Sequence, residues 1–118
     1  MLQRLRTVTK KRGVFLKVNT EEGFEIQKNT LRRLLSKAKD TSFGQQHHFV
    51  ELLESGRMFK DFQEAVQAGD YLKMLPWWTR CRMGEPDVAW PGLIDRYAVS
   101  SGTSDGSSKF IPVSKQML

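Results

Sequence analysis

The sequence predicts an α/β chain, α+β within its own 118 residues, in which a helical N-terminal half leads into a strand, a Ser/Gly-rich loop and a second strand. Two observations carry that class. Apolar residues recur mostly at three- and four-residue intervals over residues 21–38, the period of a helix with one buried face. Near the C-terminus, two runs with β-branched and aromatic content, residues 94–99 and 110–113, bracket a stretch of hydroxyls and glycines.

In chain order, residues 1–20 form a basic arm carrying Arg4, Arg6, Lys10, Lys11, Arg12 and Lys17, with no acid before Glu21. Thr20 offers an N-cap for a helix over 21–38 whose apolar positions are Phe24, Ile26, Leu31, Leu34, Leu35 and Ala38. Its basic residues, Lys28, Arg32, Arg33, Lys37 and Lys39, mostly take the other face, and Gly44 follows the stop. A second short helix runs through Phe49, Leu52 and Leu53 and ends at Gly56; a third covers 61–68 and ends at Gly69. A fourth covers 71–83, with Pro76 offering a break. Glu85-Pro86 and Trp90-Pro91-Gly92 mark turns into the first strand. Past Pro112, Ser114 is an N-cap candidate for a helix opening at Lys115, its hydroxyl placed to accept from a first-turn N–H.

The loop between the strands, Ser100-Ser101-Gly102-Thr103-Ser104-Asp105-Gly106-Ser107-Ser108-Lys109, holds the candidate binding residues. Glycine lets a backbone approach a ligand closely, successive N–H groups and hydroxyls make an anion-binding concavity, and a lysine supplies the counter-charge. The loop is not a Walker sequence: three residues separate Gly102 from Gly106, and Lys109 stands third after the second glycine. Nor is there a G-x-G-x-x-G dinucleotide fingerprint. By composition alone a Ser/Gly run is more often a flexible linker than a nucleotide site. The alternative reading is therefore a small basic helical binding module with a Ser/Gly-rich linker tail.

Other residues invite chemistry and have plainer readings. Adjacent His47 and His48 point to different sides of a helix or strand and make no natural chelating pair, so no metal site is expected. Trp77, Trp78 and Trp90 suit packing better than a ligand cage. A lone Cys81 in Thr79-Arg80-Cys81-Arg82, with no partner motif, reads as structural, and a single cysteine fits a reducing compartment. The net charge of +6, from 19 Lys and Arg against 13 Asp and Glu, permits nucleic-acid contact, but no stacking ladder or zinc-finger spacing accompanies it and no specific nucleic-acid partner is expected. No apolar run approaches the roughly 20 residues of a spanning helix. The expected setting is cytoplasmic, with no membrane partner.

The run from Tyr97 through Ser100-Ser101-Gly102-Thr103-Ser104-Asp105-Gly106-Ser107-Ser108-Lys109 to Phe110-Ile111-Pro112-Val113-Ser114 resembles the first nucleotide motif of the auxin-responsive Gretchen Hagen three family of acyl-acid-amido synthetases, within the adenylate-forming superfamily. Other segments follow the pattern of its bacterial members in order: Ala38-Lys39-Asp40-Thr41-Ser42-Phe43-Gly44, Phe59-Lys60-Asp61-Phe62, Asp70-Tyr71, Met74-Leu75-Pro76-Trp77-Trp78, and Gly84-Glu85-Pro86-Asp87-Val88-Ala89-Trp90-Pro91-Gly92. The resemblance implies that Ser100, Ser101, Gly102, Thr103, Ser104, Gly106 and Lys109 bind ATP with Mg2+. It implies as partners a small carboxylic acid, which is adenylated, and an amino acid, which takes the acyl group. It also implies that residues 1–118 are the N-terminal portion of one larger acyl-adenylating domain, divided as 1–20, 21–93 and 94–118. As a fragment the chain is expected to be inactive alone and to self-associate over exposed Phe and Trp surface.

Overall fold

The computed structural model describes residues 19–101 and 107–118. Five α-helices precede a two-stranded antiparallel sheet: α1 Thr20–Ala38, α2 Ser42–Gln46, α3 Phe49–Glu54, α4 Met58–Ala65, α5 Tyr71–Arg82, β1 Arg96–Ser100 and β2 Lys109–Val113. A 3-10 turn, Lys115–Met117, follows. The mixed class expected from periodicity is the class observed. The chain divides into two compact units, 1–33 and Leu34–Leu118; the basic arm of residues 1–18 lies outside the described residues.

In the first unit, Asn19 and not Thr20 caps α1. Its side-chain oxygen accepts from Glu21 N–H at 3.1 Å and its carbonyl from Gly23 N–H at 2.9 Å, which moves the helix start one residue upstream. Lys28 pairs with Glu25 one turn back and lies 5.1 Å from the centre of the Phe24 ring. Burial along α1 is concentrated at its last turn, Leu35 and Ala38; Phe24, Ile26 and Leu34 are exposed, so the apolar stripe read from the sequence is covered only at one end.

The second unit is organised where α1 ends. Thr41, only 1 % exposed, donates its hydroxyl to Ala38 O at 2.7 Å and accepts from Gly44 N–H at 3.0 Å. One side chain thereby closes α1 and opens α2, a helix that periodicity does not predict. Ser42 and Phe43, whose N–H groups have no intrahelical acceptor, donate to Asp87 O and Val88 O at 2.9 and 2.8 Å. Gly44 is needed inside α2 because a Cβ there would stand 2.1 Å from the Ala38 carbonyl oxygen.

The 84–92 loop that supplies those carbonyls is itself braced. Asp87, at φ 54°, accepts Gly92 N–H on its carboxylate at 2.6 Å and donates its own N–H to Gly92 O at 3.0 Å. Gly92 takes φ +89°, which suits a residue without Cβ. Arg80 holds Glu85 through two charged hydrogen bonds of 2.7 and 2.5 Å and reaches Ser42 Oγ at 3.0 Å, joining α5, the loop and α2. Val88 is 1 % exposed and joins Leu35, Ala38, Phe49, Leu52, Met58 and Cys81 in the core.

Other helix limits also differ from expectation. α4 starts at Met58, three residues before Asp61, because Met58 is buried and the Asp61 carboxylate works from within the first turn, bonded to Ser55 and Arg57. It stops at Ala65, and Lys73 Nζ donates to the carbonyls of Gln67 and Ala68 beyond it. α5 runs unbroken through Pro76. The missing N–H leaves one rung open, but Trp77 and Trp78 pack on Phe43 and Tyr71 at 5.1 and 5.4 Å and anchor the far side of the proline. After β2, Ser114 makes no side-chain cap: its buried hydroxyl has no hydrogen-bond partner among the described residues, and Met117 N–H bonds to its carbonyl instead, so the expected helix is a single 3-10 turn.

The two internal glycines of open and crowded surroundings give a paired test. Gly44→Ala should lose about 1–3 kcal/mol of stability by denaturant titration, the range for overpacking. Gly56→Ala, with nothing within 4 Å of a new Cβ, should be neutral or gain up to about 1 kcal/mol.

The Arg80 hydrogen bond holds Glu85 below the ordinary carboxylate range. With the folded value below the unfolded one, this stabilisation is present above the unfolded pKa of about 4.3 and is lost as pH falls through the folded value. Glu85→Gln should therefore flatten the acid side of the melting-temperature profile below roughly pH 5.

Burial pushes the Cys81 thiol up, against the smaller opposing effect of the Ala89 backbone N–H. Cys81 should react with a colourimetric disulfide reagent at pH 8 only when denaturant is added.

Candidate functional site

The hairpin register sets the geometry of the candidate loop. Ser100, at the end of β1, pairs directly with Lys109 at the start of β2, with Val99 opposite Phe110 behind them. Both ends of the Ser/Gly run therefore leave the sheet side by side. Ser100 and Lys109 are half-buried, whereas Ser101, Ser107 and Ser108 are exposed. Gly102, Thr103, Ser104 and Gly106 lie outside the described residues. Of the seven loop residues read from the sequence, the structure thus places Ser100, Ser101 and Lys109.

The loop end of the hairpin rests on α5. Phe110 N–H donates to Tyr71 Oη at 3.3 Å, and Lys109 Nζ lies 5.6 Å from the centre of the Tyr71 ring. The Arg82 guanidinium stacks over the Phe110 ring at 4.2 Å. Tyr71 is placed by its neighbours: Asp70, extended at ψ −172°, accepts Lys73 N–H on its carboxylate at 3.1 Å and starts the helix, and Trp78 backs the ring. The sequence marked Tyr71 only as part of the Asp70-Tyr71 family pair and gave Arg82 no role; neither was expected to support the hairpin. Their signals were an aspartate three residues before Lys73, typical of an N-cap, and an arginine in a helix's last turn.

At the other base of the hairpin, Tyr97 Oη donates to Ile94 O at 3.4 Å, and burial raises the phenol's pKa. A hydroxyl so placed stays protonated at neutral pH. It anchors the strand entry and offers no base.

A separate cleft of about 210 Å3 opens between α2, the end of α4 and α5, floored by Phe43, Val66, Met74 and Trp77. His47 forms one wall, stacked on Phe43 at 4.0 Å with Nδ1 donating to Phe43 O at 2.8 Å. His48, at φ 56°, turns away toward Glu51 at 4.0 Å, so the two histidines diverge. Among the described residues no three His, Cys, Asp or Glu side chains converge in a metal-holding group. No described helix is long and apolar enough to cross a membrane.

A family model described as the GH3 family N-terminal domain matches residues 14–118. No curated protein and no solved structure matches the chain significantly. The matched span takes in the Thr41–Gly44 segment, the Asp70-Tyr71 pair, the braced 84–92 loop and the whole β1–β2 hairpin. The chain therefore belongs to the GH3 family, the auxin-responsive family that its loop sequence resembles.

Proposed function

We propose that this chain supplies the first ATP-phosphate loop of an acyl-acid-amido synthetase, an enzyme that adenylates a carboxylic acid and passes the acyl group to an amino acid. The observation that carries the reading is the match of residues 14–118 to the GH3 N-terminal domain, with the Ser/Gly run and its lysine set at the end of a hairpin. In such a reaction a carboxylate attacks the α-phosphorus of ATP and pyrophosphate leaves, so negative charge gathers on phosphate oxygens. Hydroxyls of Ser100, Ser101, Thr103 and Ser104 would donate to those oxygens, Gly102 and Gly106 would let the backbone approach, and Lys109 would offset charge. Support for the fit comes from the register: Ser100 and Lys109 are brought opposite each other, donor beside cation, as a phosphate requires. Magnesium would enter bound to the triphosphate, since Mg2+ commonly takes substrate phosphates and retained waters with few protein ligands.

The described chain has two strands, each with one strand partner. The acyl-acid and amine pockets belong, in this reading, to further parts of the enzyme, and the 118 residues alone are expected to be inactive. The test is acid-dependent exchange of labelled pyrophosphate into ATP by the protein isolated from its source cells. Exchange should be present in the wild type and fall at least about a hundredfold in Gly102→Val and Lys109→Ala, the scale of losing a charge-stabilising group. Undiminished exchange in both variants would return the run to the status of a linker.

A further inference from the structure

The lysine that closes the loop is held by an aromatic ring. Tyr71 touches two successive residues of β2: its ring faces Lys109 Nζ at 5.6 Å, and its hydroxyl accepts the N–H of Phe110 at 3.3 Å. One side chain thus holds both the ammonium and the backbone that carries it. Tyr71 is in turn fixed from two directions, by Trp78 at 5.4 Å and by the Asp70 cap at the helix start. Next to it the same arrangement recurs, with Arg82 lying 4.2 Å over the Phe110 ring.

The kind of support matters electrostatically. A carboxylate would hold the ammonium but neutralise it, and a phosphate would then have to compete with the carboxylate. The face of an aromatic ring attracts a cation through its quadrupole and carries no net charge, so the cation keeps its full charge for an anion. Among the described residues no carboxylate forms an ion pair with Lys109 or Arg82. Among the described residues, therefore, the two cations beside the hairpin are oriented by aromatic rings and not by carboxylates.

From this geometry we propose that Tyr71 is a positioning residue for nucleotide binding, acting through Lys109 by presenting its ammonium, still fully charged, to the triphosphate. The proposal rests on the ATP reading above and adds to it a residue outside the loop. Asp70 contributes indirectly, because without its cap the first turn of α5 would not hold Tyr71 in place.

The experiment is a double-mutant cycle on the intact protein, with ATP affinity measured by calorimetry and folding checked by circular dichroism. Tyr71→Leu should weaken ATP binding by about two- to thirtyfold, the scale of a cation–π contact. Tyr71→Phe keeps the ring and should restore affinity to within about twofold of wild type. In a Lys109→Ala background, Tyr71→Leu should cost nothing more, because the group through which it acts is gone. Equal losses from Tyr71→Leu in both backgrounds would overturn the proposal and leave the ATP reading standing. ATP affinity unchanged by Lys109→Ala would overturn the ATP reading and the proposal with it. A readout free of variants is the proton spectrum: the ε-methylene protons of Lys109 should be shifted upfield by the Tyr71 ring current, and random-coil positions would refute the contact.

Discussion

The arrangement on which the rest of the second unit depends is the satisfaction of α2's first N–H groups. A helix of five residues cannot support itself, because nucleation fixes several residues for very few bonds. Here each early donor has an external acceptor: Ser42 and Phe43 donate to the carbonyls of Asp87 and Val88, and Gly44 donates to the Thr41 hydroxyl. Partners more than forty positions away in sequence are thereby tied to the end of α1. The tie places Val88 in the core beside Leu35 and Ala38 and leaves no room for a side chain at residue 44.

Arg80 carries that constraint outward. Its guanidinium joins Ser42 and Glu85 and stacks 5.4 Å from the Trp77 ring, so α5 is referenced to the same knot that positions α2. Trp77 then closes on Phe43, giving α5 an aromatic anchor past Pro76. A proline inside a helix typically costs about 3 kcal/mol, and α5 nonetheless runs through Pro76 as one element with aromatic contacts on both sides of it. The opposite end of α5 meets the hairpin through Tyr71. Buried threonine, charged fork, aromatic helix and loop lysine form one continuous mechanical series.

This series gives the family segments a physical content. Thr41-Ser42-Phe43-Gly44 and Asp87-Val88 are the two halves of one hydrogen-bonded joint; Trp77 belongs to the helix that crosses it; Asp70-Tyr71 is the contact between that helix and the loop. In the proposed function the joint and the helix do no chemistry. They fix where Ser100 and Lys109 leave the sheet, and phosphate recognition depends on such placement because hydrogen bonds to oxyanions weaken steeply with misdirection.

Local pattern determined a good deal by itself. The three- and four-residue spacing of residues 21–38, the glycines near 56 and 69 and the β-branched runs around the Ser/Gly stretch specify helices and a hairpin in the order observed, because periodicity and turn chemistry act over a few neighbours. The loop's composition and its lysine were legible for the same reason, and the family came from the resemblance of that run and of the segments upstream of it. What the tertiary structure alone decided was everything that needs a distant partner. Met58 begins α4 because it is buried, and Pro76 does not end α5 because aromatic packing holds both sides. α2 exists because carbonyls from the 84–92 loop reach its N–H groups, and Tyr71 meets Lys109 across 38 positions of chain because strand register and helix start bring them together. Hydrogen bonds and ring contacts between remote residues leave no periodic trace in a sequence, since their partners are selected by the fold and not by spacing.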